Sequence, residues 1–140
     1  MAQPQRRLTR LAIAAVGLLL VASMSGACGR EQPAEDTAGV LLTTRLVPPQ
    51  PAVGAATLTV TLSGATADLL GRANVQVVGH MTHPGMTPVV ATVTPRSPDV
   101  YDAAVDFTMA GDWMLIATVR LRDGRRLESR VPVKVLPRQP

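Results

Sequence analysis

The residues best suited to chemistry lie in one short stretch, from His80 to Met86 (HMTHPGM). The stretch holds both histidines of the chain and two of its six methionines. Thioether sulfur is a soft donor that suits Cu(I), and imidazole accepts copper in either oxidation state. Thioethers also carry no proton, so such a site would keep these ligands under acidic conditions. The stretch therefore predicts a copper site with His80, Met81, His83 and Met86 as candidate ligands.

A second set of residues is expected at the same end of the fold. If successive strands alternate in direction, the loops after the first, third and fifth strands emerge together, which brings Met109 near the stretch. The Trp113 indole would then lie alongside and shield the metal with its π face. Alternatively, Met81 and Trp113 fill the core, as methionine and one large aromatic residue commonly do in sandwich domains. The sequence leaves both interpretations open.

Patterns typical of catalysis are missing. No serine or carboxylate stands beside a histidine in a spacing that pairs a nucleophile with a base, and no glycine-rich phosphate loop is present. Asp102 and Asp106 could share one face of a strand, but they alternate with apolar residues and so belong to a solvated sheet face. We therefore expect a protein that is not an enzyme.

The elements that must position these residues are short β-strands separated by proline and glycine. The clearest of them, Thr57–Leu62, alternates threonine with Leu or Val. The Asp123-Gly124 pair predicts a tight hairpin. About seven such strands predict an all-β fold, an immunoglobulin-like β-sandwich of antiparallel strands, with a small open barrel as the alternative. The predicted strands are Val40–Val47, Thr57–Leu62, Ala73–Met81, Pro88–Thr94, Val100–Thr108, Trp113–Arg122 and Leu127–Leu136.

Residues 1–27 have the organisation of a secretory signal peptide. Three arginines lie ahead of an uninterrupted apolar run, Leu11–Ala22, which gives way to small residues. The run is shorter than the about 20 apolar residues that a membrane-spanning helix needs. We therefore expect export, with the signal peptide ending at Ala27.

The single cysteine of the chain follows at once. The residues from Ser25 to Cys28 (SGAC) resemble the bacterial lipobox, in which the cysteine sulfur receives a diacylglyceryl group. This predicts lipidation at Cys28 and a chain anchored to the cell membrane on its extracytoplasmic side, whether outer face or periplasm. The polar residues 28–39 then form a flexible spacer, and residues 40–137 form the folded domain.

The charge of the chain gives no reason to expect a nucleic-acid partner. The net charge of +4 comes largely from residues 1–27, which hold three of the 14 basic residues and none of the 10 acidic ones. One Trp, one Tyr and one Phe supply no platform on which bases could stack. We expect no binding to nucleic acid.

Two stretches are similar to the YtkA-like domain family, which is related to the FixH proteins. One is the turn from His80 to Met86. The other is a series of residues that ends at a tryptophan, namely Tyr101, Val105, Phe107, Met109, Gly111 and Trp113. The similarity covers about Val40 to Leu136. It implies an immunoglobulin-like sandwich that is exported or membrane-anchored. Several members occur with copper transport or cytochrome oxidase assembly, which implies a copper role for the matching residues His80, Met81, His83 and Met86, with Met109 next.

Two functions follow as hypotheses. The first is a copper-binding or copper-handling accessory lipoprotein that works with a copper transporter or an oxidase assembly protein. The second is a non-catalytic structural or interaction module that docks on an envelope protein without metal, through a sheet face or an edge strand.

Overall fold

The computed structural model describes residues 35–37, 39–64, 66–71 and 73–138. The predicted signal peptide and Cys28 lie outside this part of the chain. No helix in the described ranges has the length and apolar character needed to cross a membrane. The elements are β1 (Glu35–Thr37), β2 (Val40–Val47), β3 (Gly54–Ser63), α1 (Ala67–Leu70), β4 (Asn74–Met81), β5 (Val89–Val90), β6 (Thr92–Ser97), β7 (Val100–Phe107), β8 (Gly111–Arg120) and β9 (Arg126–Val135).

The strands form two sheets that pack face to face. One sheet has five strands in the order β1-β2-β3-β7-β6, and the other has four in the order β5-β4-β8-β9. Neighbouring strands in each sheet run antiparallel. Strands β2, β3, β7 and β6 take the places of A, B, E and D of an immunoglobulin-like sandwich, and β4, β8 and β9 take those of C, F and G. The predicted fold class is confirmed.

The core between the sheets is generated by strict alternation along the strands. In β3, Leu58, Val60 and Leu62 are buried, while the threonines between them face outward. Strands β7, β8 and β9 follow the same period, and Trp113 and Phe107 are among the largest fully buried side chains. Burying each such side chain contributes about 1.5–3 kcal/mol. With one cysteine in the chain, no internal disulfide can reinforce this core.

The predicted hairpin between β8 and β9 is confirmed. The Leu121 amide donates to the Arg125 carbonyl at 2.9 Å, and Gly124 takes a φ of 89°. This left-handed conformation suits glycine, which has no Cβ to clash with the backbone. The hairpin marks one end of the sandwich, called the hairpin end below.

The predicted strand Pro88–Thr94 is wrong as a single element. The chain leaves the four-stranded sheet after β5 and enters the five-stranded sheet at β6. At the crossing, the Ala91 amide donates to the Val77 carbonyl at 2.9 Å. Both halves of the predicted strand remain extended, so the residue pattern continues through Ala91. The pattern therefore does not reveal that the chain changes sheets there.

Two short elements lie where the sequence predicts none. Strand β1 pairs with the start of β2, with Thr37 opposite Val40, so the last part of the predicted spacer is sheet. Helix α1 connects β3 to β4, and its Leu70 is buried at the hairpin end. A four-residue helix is too short to leave a helical period in the sequence.

Candidate metal centre

Three loops meet at the end of the sandwich opposite the hairpin. Met81, the last residue of β4, pairs with Trp113 near the start of β8. Gly54, the first residue of β3, pairs with Phe107, the last of β7. These registers place the loops 48–53, 82–88 and 108–110 at one end, which we call the methionine end. The loop arrangement is the one that alternating strand direction predicts.

The loop after β4 is held directly against β8. The Thr82 amide donates to the Asp112 carbonyl at 3.0 Å, and the Thr82 hydroxyl donates to the same oxygen at 3.1 Å. The ladder between the two strands therefore continues one residue past β4. Loop 82–88 therefore starts beside loop 108–110 at the same end of the sandwich.

Met81 lies on the inner face of its strand, partly buried against the core. Its terminal methyl carbon, Cε, would lie 2.7 Å from a Cβ built on Gly111. Gly111 has a φ of 134°, a backbone conformation that residues with a side chain rarely adopt. The missing side chain at Gly111 thus provides the space that the end of Met81 occupies.

Trp113 belongs to the core. It is 1% exposed, and its ring packs edge-on against Phe107 with centroids 5.4 Å apart. Its indole Nε1–H donates to the backbone carbonyl of Met109 at 3.0 Å. Of the two interpretations left open by the sequence, core packing is the one observed. Trp113 acts on the methionine end by fixing the backbone of loop 108–110.

Met86 and Met109 point their apolar side chains into solvent. Met86 is 36% exposed and Met109 is 45% exposed. The other large apolar residues with this degree of exposure in the described chain are Leu41, Val47 and Val90, and all three lie in strands. Two accessible thioethers on adjoining loops give the methionine end a soft, sulfur-rich surface.

The two histidines are placed differently from each other. His83 lies in the exposed turn of loop 82–88, two residues before Gly85, whose φ is 84°. His80 lies in β4 and is exposed on the outer face of the four-stranded sheet, where it pairs with Met114. Since neighbouring residues of a strand face opposite sides, His80 and Met81 are separated by the sheet. The structure therefore brings Met81, His83, Met86 and Met109 to one end and sets His80 apart.

Met114 is a further methionine of the described chain, and it lies away from the methionine end. It is half-buried on the outer face, opposite His80. The alternation in β8 predicts this outward placement of Met114, because a residue next to the inward Trp113 must face outward.

The donors at the methionine end define which metal could bind. Among the described residues, no group of three or more His, Cys, Asp or Glu side chains is placed to hold a metal ion. Such groups would be needed for zinc or for the hard cations. Thioethers with one imidazole suit Cu(I) instead, so the residues present fit that ion.

A cavity of about 350 Å³ opens at the hairpin end. Its polar side chains are already bonded within the fold, since Arg96 pairs with Asp102 and the Ser97 hydroxyl bonds Asp99 at 2.6 Å. The Tyr101 hydroxyl donates to the Leu70 carbonyl at 3.0 Å. The cavity is lined by Gly71, Ala73, Pro95, Arg96, Ser97, Pro98 and Tyr101.

Comparisons with known proteins give a family and a fold. The family model described as YtkA-like matches residues 41–118. The crystal structure of a DUF4426 family protein from Pseudomonas aeruginosa superposes with a TM-score of 0.55 at 7% identity, covering 77% of this chain and 100% of that one. This likeness shows a shared fold. No curated protein sequence matches the chain.

Proposed function

The chain belongs to the YtkA-like family, and on that premise we propose that it is an extracytoplasmic, lipid-anchored accessory protein that binds Cu(I) and catalyses no reaction. The observation that supports this most is the pair of solvent-exposed thioethers, Met86 and Met109, on adjoining loops. An exposed methionine forgoes the burial that stabilises a core. A role in binding a soft ion gives that exposure a reason.

The proposed ligands come from both loops of the methionine end. Met86 and Met109 supply sulfur, and His83, in the same loop as Met86, supplies an imidazole nitrogen. Met81 lies beneath, with its methyl group against Gly111. Trp113 is a positioning residue, because its indole holds the carbonyl of Met109 and not the ion. Copper is cargo in this proposal, and its release requires an accessible site.

The location and the partners are part of the same proposal. The predicted signal peptide and the predicted lipobox ending at Cys28 support an anchor on the outer or periplasmic side of the membrane. A protein that holds Cu(I) there would exchange it with a copper transporter or with an oxidase assembly protein.

An anaerobic Cu(I) titration of residues 29–140 against a competing chelator tests the proposal. Omitting Cys28 matters because a free thiol there would bind Cu(I) by itself. We expect uptake of about one ion, weakened about tenfold or more by the double substitution Met86→Leu and Met109→Leu. Leucine keeps the apolar volume and removes only the sulfur.

Met114→Leu is the matched control, because it removes a sulfur from the outer face of the sheet and leaves the methionine end intact. We expect it to bind Cu(I) as tightly as the unaltered chain. No uptake by the unaltered chain, or an equal loss of affinity in Met114→Leu, would contradict the proposal.

A further inference from the structure

The outer faces of the two sheets differ in character. On the five-stranded sheet, the outward residues of β3 are mostly threonines, and β7 adds Asp102 and Asp106. Leu41 and Val47 are exposed there at opposite ends of β2, separated along the strand by Thr43 and Arg45. This is the pattern of a sheet face that contacts water.

The outer face of the four-stranded sheet has an apolar centre. Val90, Val78 and Ile116 form one row across three strands, since Val78 pairs with both of the others. In the next row, Met114 pairs with Pro132. Val90 is 65% exposed. A polar residue at this position would leave the core unchanged, so the core does not require a valine there. We call these five residues the apolar strip.

A basic border runs along one side of the apolar strip. Strand β9 presents Arg126, Arg130 and Lys134 outward, and all three are exposed. Glu128 lies between the two arginines and accepts a hydrogen bond from each at 2.9 Å. On the opposite side, the outward positions of β4 in this face are Asn74, Gln76, Val78 and His80, with no acidic residue among them. Strand β8 adds Asp112 opposite Lys134 and Arg120 opposite Arg126, so the face has an apolar centre, a flank of net positive charge and a neutral flank.

We propose that this face docks on another envelope protein, through a surface that is apolar at its centre and bordered on one side by carboxylates. Charge complementarity selects this occupant. Carboxylates opposite Arg126, Arg130 and Lys134 would steer association and fix its register, while the apolar strip would be removed from water. The inference rests on the proposed location outside the cytoplasm, but not on whether the methionine end binds copper.

A second copy of the chain offers few of the required charges, because this face carries two carboxylates, Asp112 and Glu128, and Glu128 is already hydrogen-bonded to Arg126 and Arg130 of its own chain. If two copies packed these faces together with the strands of β9 superposed, the three cations of one β9 would face a single carboxylate, Glu128, on the other. In the other two-fold arrangement, β9 would lie over β5 of the second copy, beside loop 82–88, which contains no acidic residue. Neither arrangement gives each cation of the flank a carboxylate partner.

A lipid surface fits the face less well than a protein does. Proteins that lie in the membrane interface insert bulky side chains such as Trp and Phe. The aromatic residues of this chain, Tyr101, Phe107 and Trp113, are all buried in the core. The apolar strip consists instead of two valines, an isoleucine, a methionine and a proline on a sheet, a shape that complements another protein surface.

The sheet edges are also poorly suited to pairing with a partner strand, and two of the four edge strands, β1 and β5, have three and two residues. Strand β9 contains Pro132, which has no amide to donate, and β6 contains Pro95 beside a register shift. Proline, bulges and charged side chains are the features that block strand addition at an edge. Docking through the face is therefore the mode that this sandwich leaves open.

Photo-crosslinking of the full chain in its native envelope tests the proposal. A photoreactive p-benzoylphenylalanine replaces Ile116, and the same residue at Thr59, on the outer face of the other sheet, is the control. We expect one crosslinked product from position 116 and none from position 59. Mass spectrometry should identify a different protein, joined at a peptide that contains acidic residues.

The purified partner then provides the quantitative test. The double substitution Arg126→Glu and Arg130→Glu should weaken binding about tenfold or more, and added salt should weaken binding of the unaltered chain. Arg45→Glu, on the outer face of the five-stranded sheet, should leave binding unchanged. Thermal unfolding of each variant verifies that it folds.

Other outcomes would overturn the inference. Three concern the crosslinking: no product from position 116, equal products from both positions, or products only with a second copy of the chain or with lipid. The fourth is a partner whose affinity does not change with the charge reversal. Sedimentation of the chain alone and with vesicles containing one part phosphatidylglycerol in about three identifies the second copy or the lipid surface as the occupant instead.

Discussion

Met81 and Gly111 share one space: the methyl group of the first lies 2.7 Å from where a Cβ of the second would stand. An alanine at Gly111 must therefore push the end of Met81 away and must also adopt a φ of 134°. We expect Gly111→Ala to lower the free energy of unfolding by about 1–3 kcal/mol through backbone strain. The flexible Met81 side chain should swing aside, which a shift of its methyl resonance in NMR spectra would report.

Gly124→Ala is the control for that substitution. Gly124 also has a positive φ, of 89°, but nothing lies within 4 Å of a Cβ built there. It should cost stability through backbone strain and leave the Met81 methyl resonance in place. If Gly111→Ala also leaves that resonance unmoved, the contact between the two residues is not as described.

The histidines should differ in their effect on Cu(I) affinity. His80 faces the outer side of the sheet, whereas His83 lies in the loop that carries Met86. We expect His83→Ala to weaken Cu(I) binding about tenfold and His80→Ala to leave it unchanged, measured by the same chelator competition. An equal loss from both substitutions would place His80 in the site and contradict the assignment made from strand alternation.

Trp113 should report on the methionine end by fluorescence. It is the single tryptophan of the chain, and its indole donates to the Met109 carbonyl. Binding of Cu(I) to the Met109 sulfur would shift that backbone and change the environment of the indole. We expect the emission to change in step with Cu(I) uptake, and to stay constant in the double variant Met86→Leu and Met109→Leu. An emission that does not respond in the unaltered chain argues against Met109 as a ligand.

Thr44 offers a stabilising substitution. Its side chain is 2% exposed on the core face of β2, and its hydroxyl is buried without a hydrogen-bond partner. Burying an unpaired hydroxyl is unfavourable, so the isosteric Thr44→Val should raise the free energy of unfolding by about 1 kcal/mol. Thr59→Val is the control, because the Thr59 hydroxyl donates to Asp102 at 3.0 Å and its removal should bring no gain. Urea unfolding of both variants checks this, and a loss of stability in Thr44→Val would refute it.

Tyr101 makes stability depend on alkaline pH. Burial raises its pKa above 10.0, partly opposed by a hydrogen bond from the Ala73 backbone, and Asp99 raises it further. Because the folded-state pKa is the higher one, the neutral hydroxyl contributes stability that is fully present below pH 10 and is lost as the pH rises through the folded-state pKa.

Tyr101→Phe should therefore cost about 1 kcal/mol at neutral pH, where it removes the hydrogen bond to Leu70. The difference in the free energy of unfolding between the two chains should narrow above pH 10. Urea unfolding at a series of pH values from about 7 to 11 measures it. A difference that stays constant over that range would show that the hydroxyl is not buried as described.

Much of the fold could be predicted because it follows from a period of two. The buried positions of β3, such as Leu58 and Val60, and the inward placement of Trp113 all follow from alternation. The same rule separates His80 from Met81, and it turns Met114 outward, when it is applied to each residue in turn. These placements were available in the sequence.

What could not be predicted lacks a period. The crossing at Ala91 is set by which sheet offers the next hydrogen bond, the Val77 carbonyl, and not by any residue type nearby. The exposure of Met86 and Met109 depends on the conformations of two loops. Apolar side chains are expected to be buried, so composition alone does not predict this exposure. The space beneath Met81 depends on a glycine that lies 30 positions away in the sequence and becomes its neighbour only through the pairing of β4 with β8.

The pairing of β1 with the first residues of β2 gives the molecule a direction. Thr37 lies opposite Val40, so the described chain joins the sandwich in the half that contains the hairpin end. Strand β1 runs towards the hairpin end, so its first residue, Glu35, lies farther from that end than Thr37 does. A lipid anchor ahead of Glu35 would therefore not by itself hold the exposed sulfurs away from the bilayer.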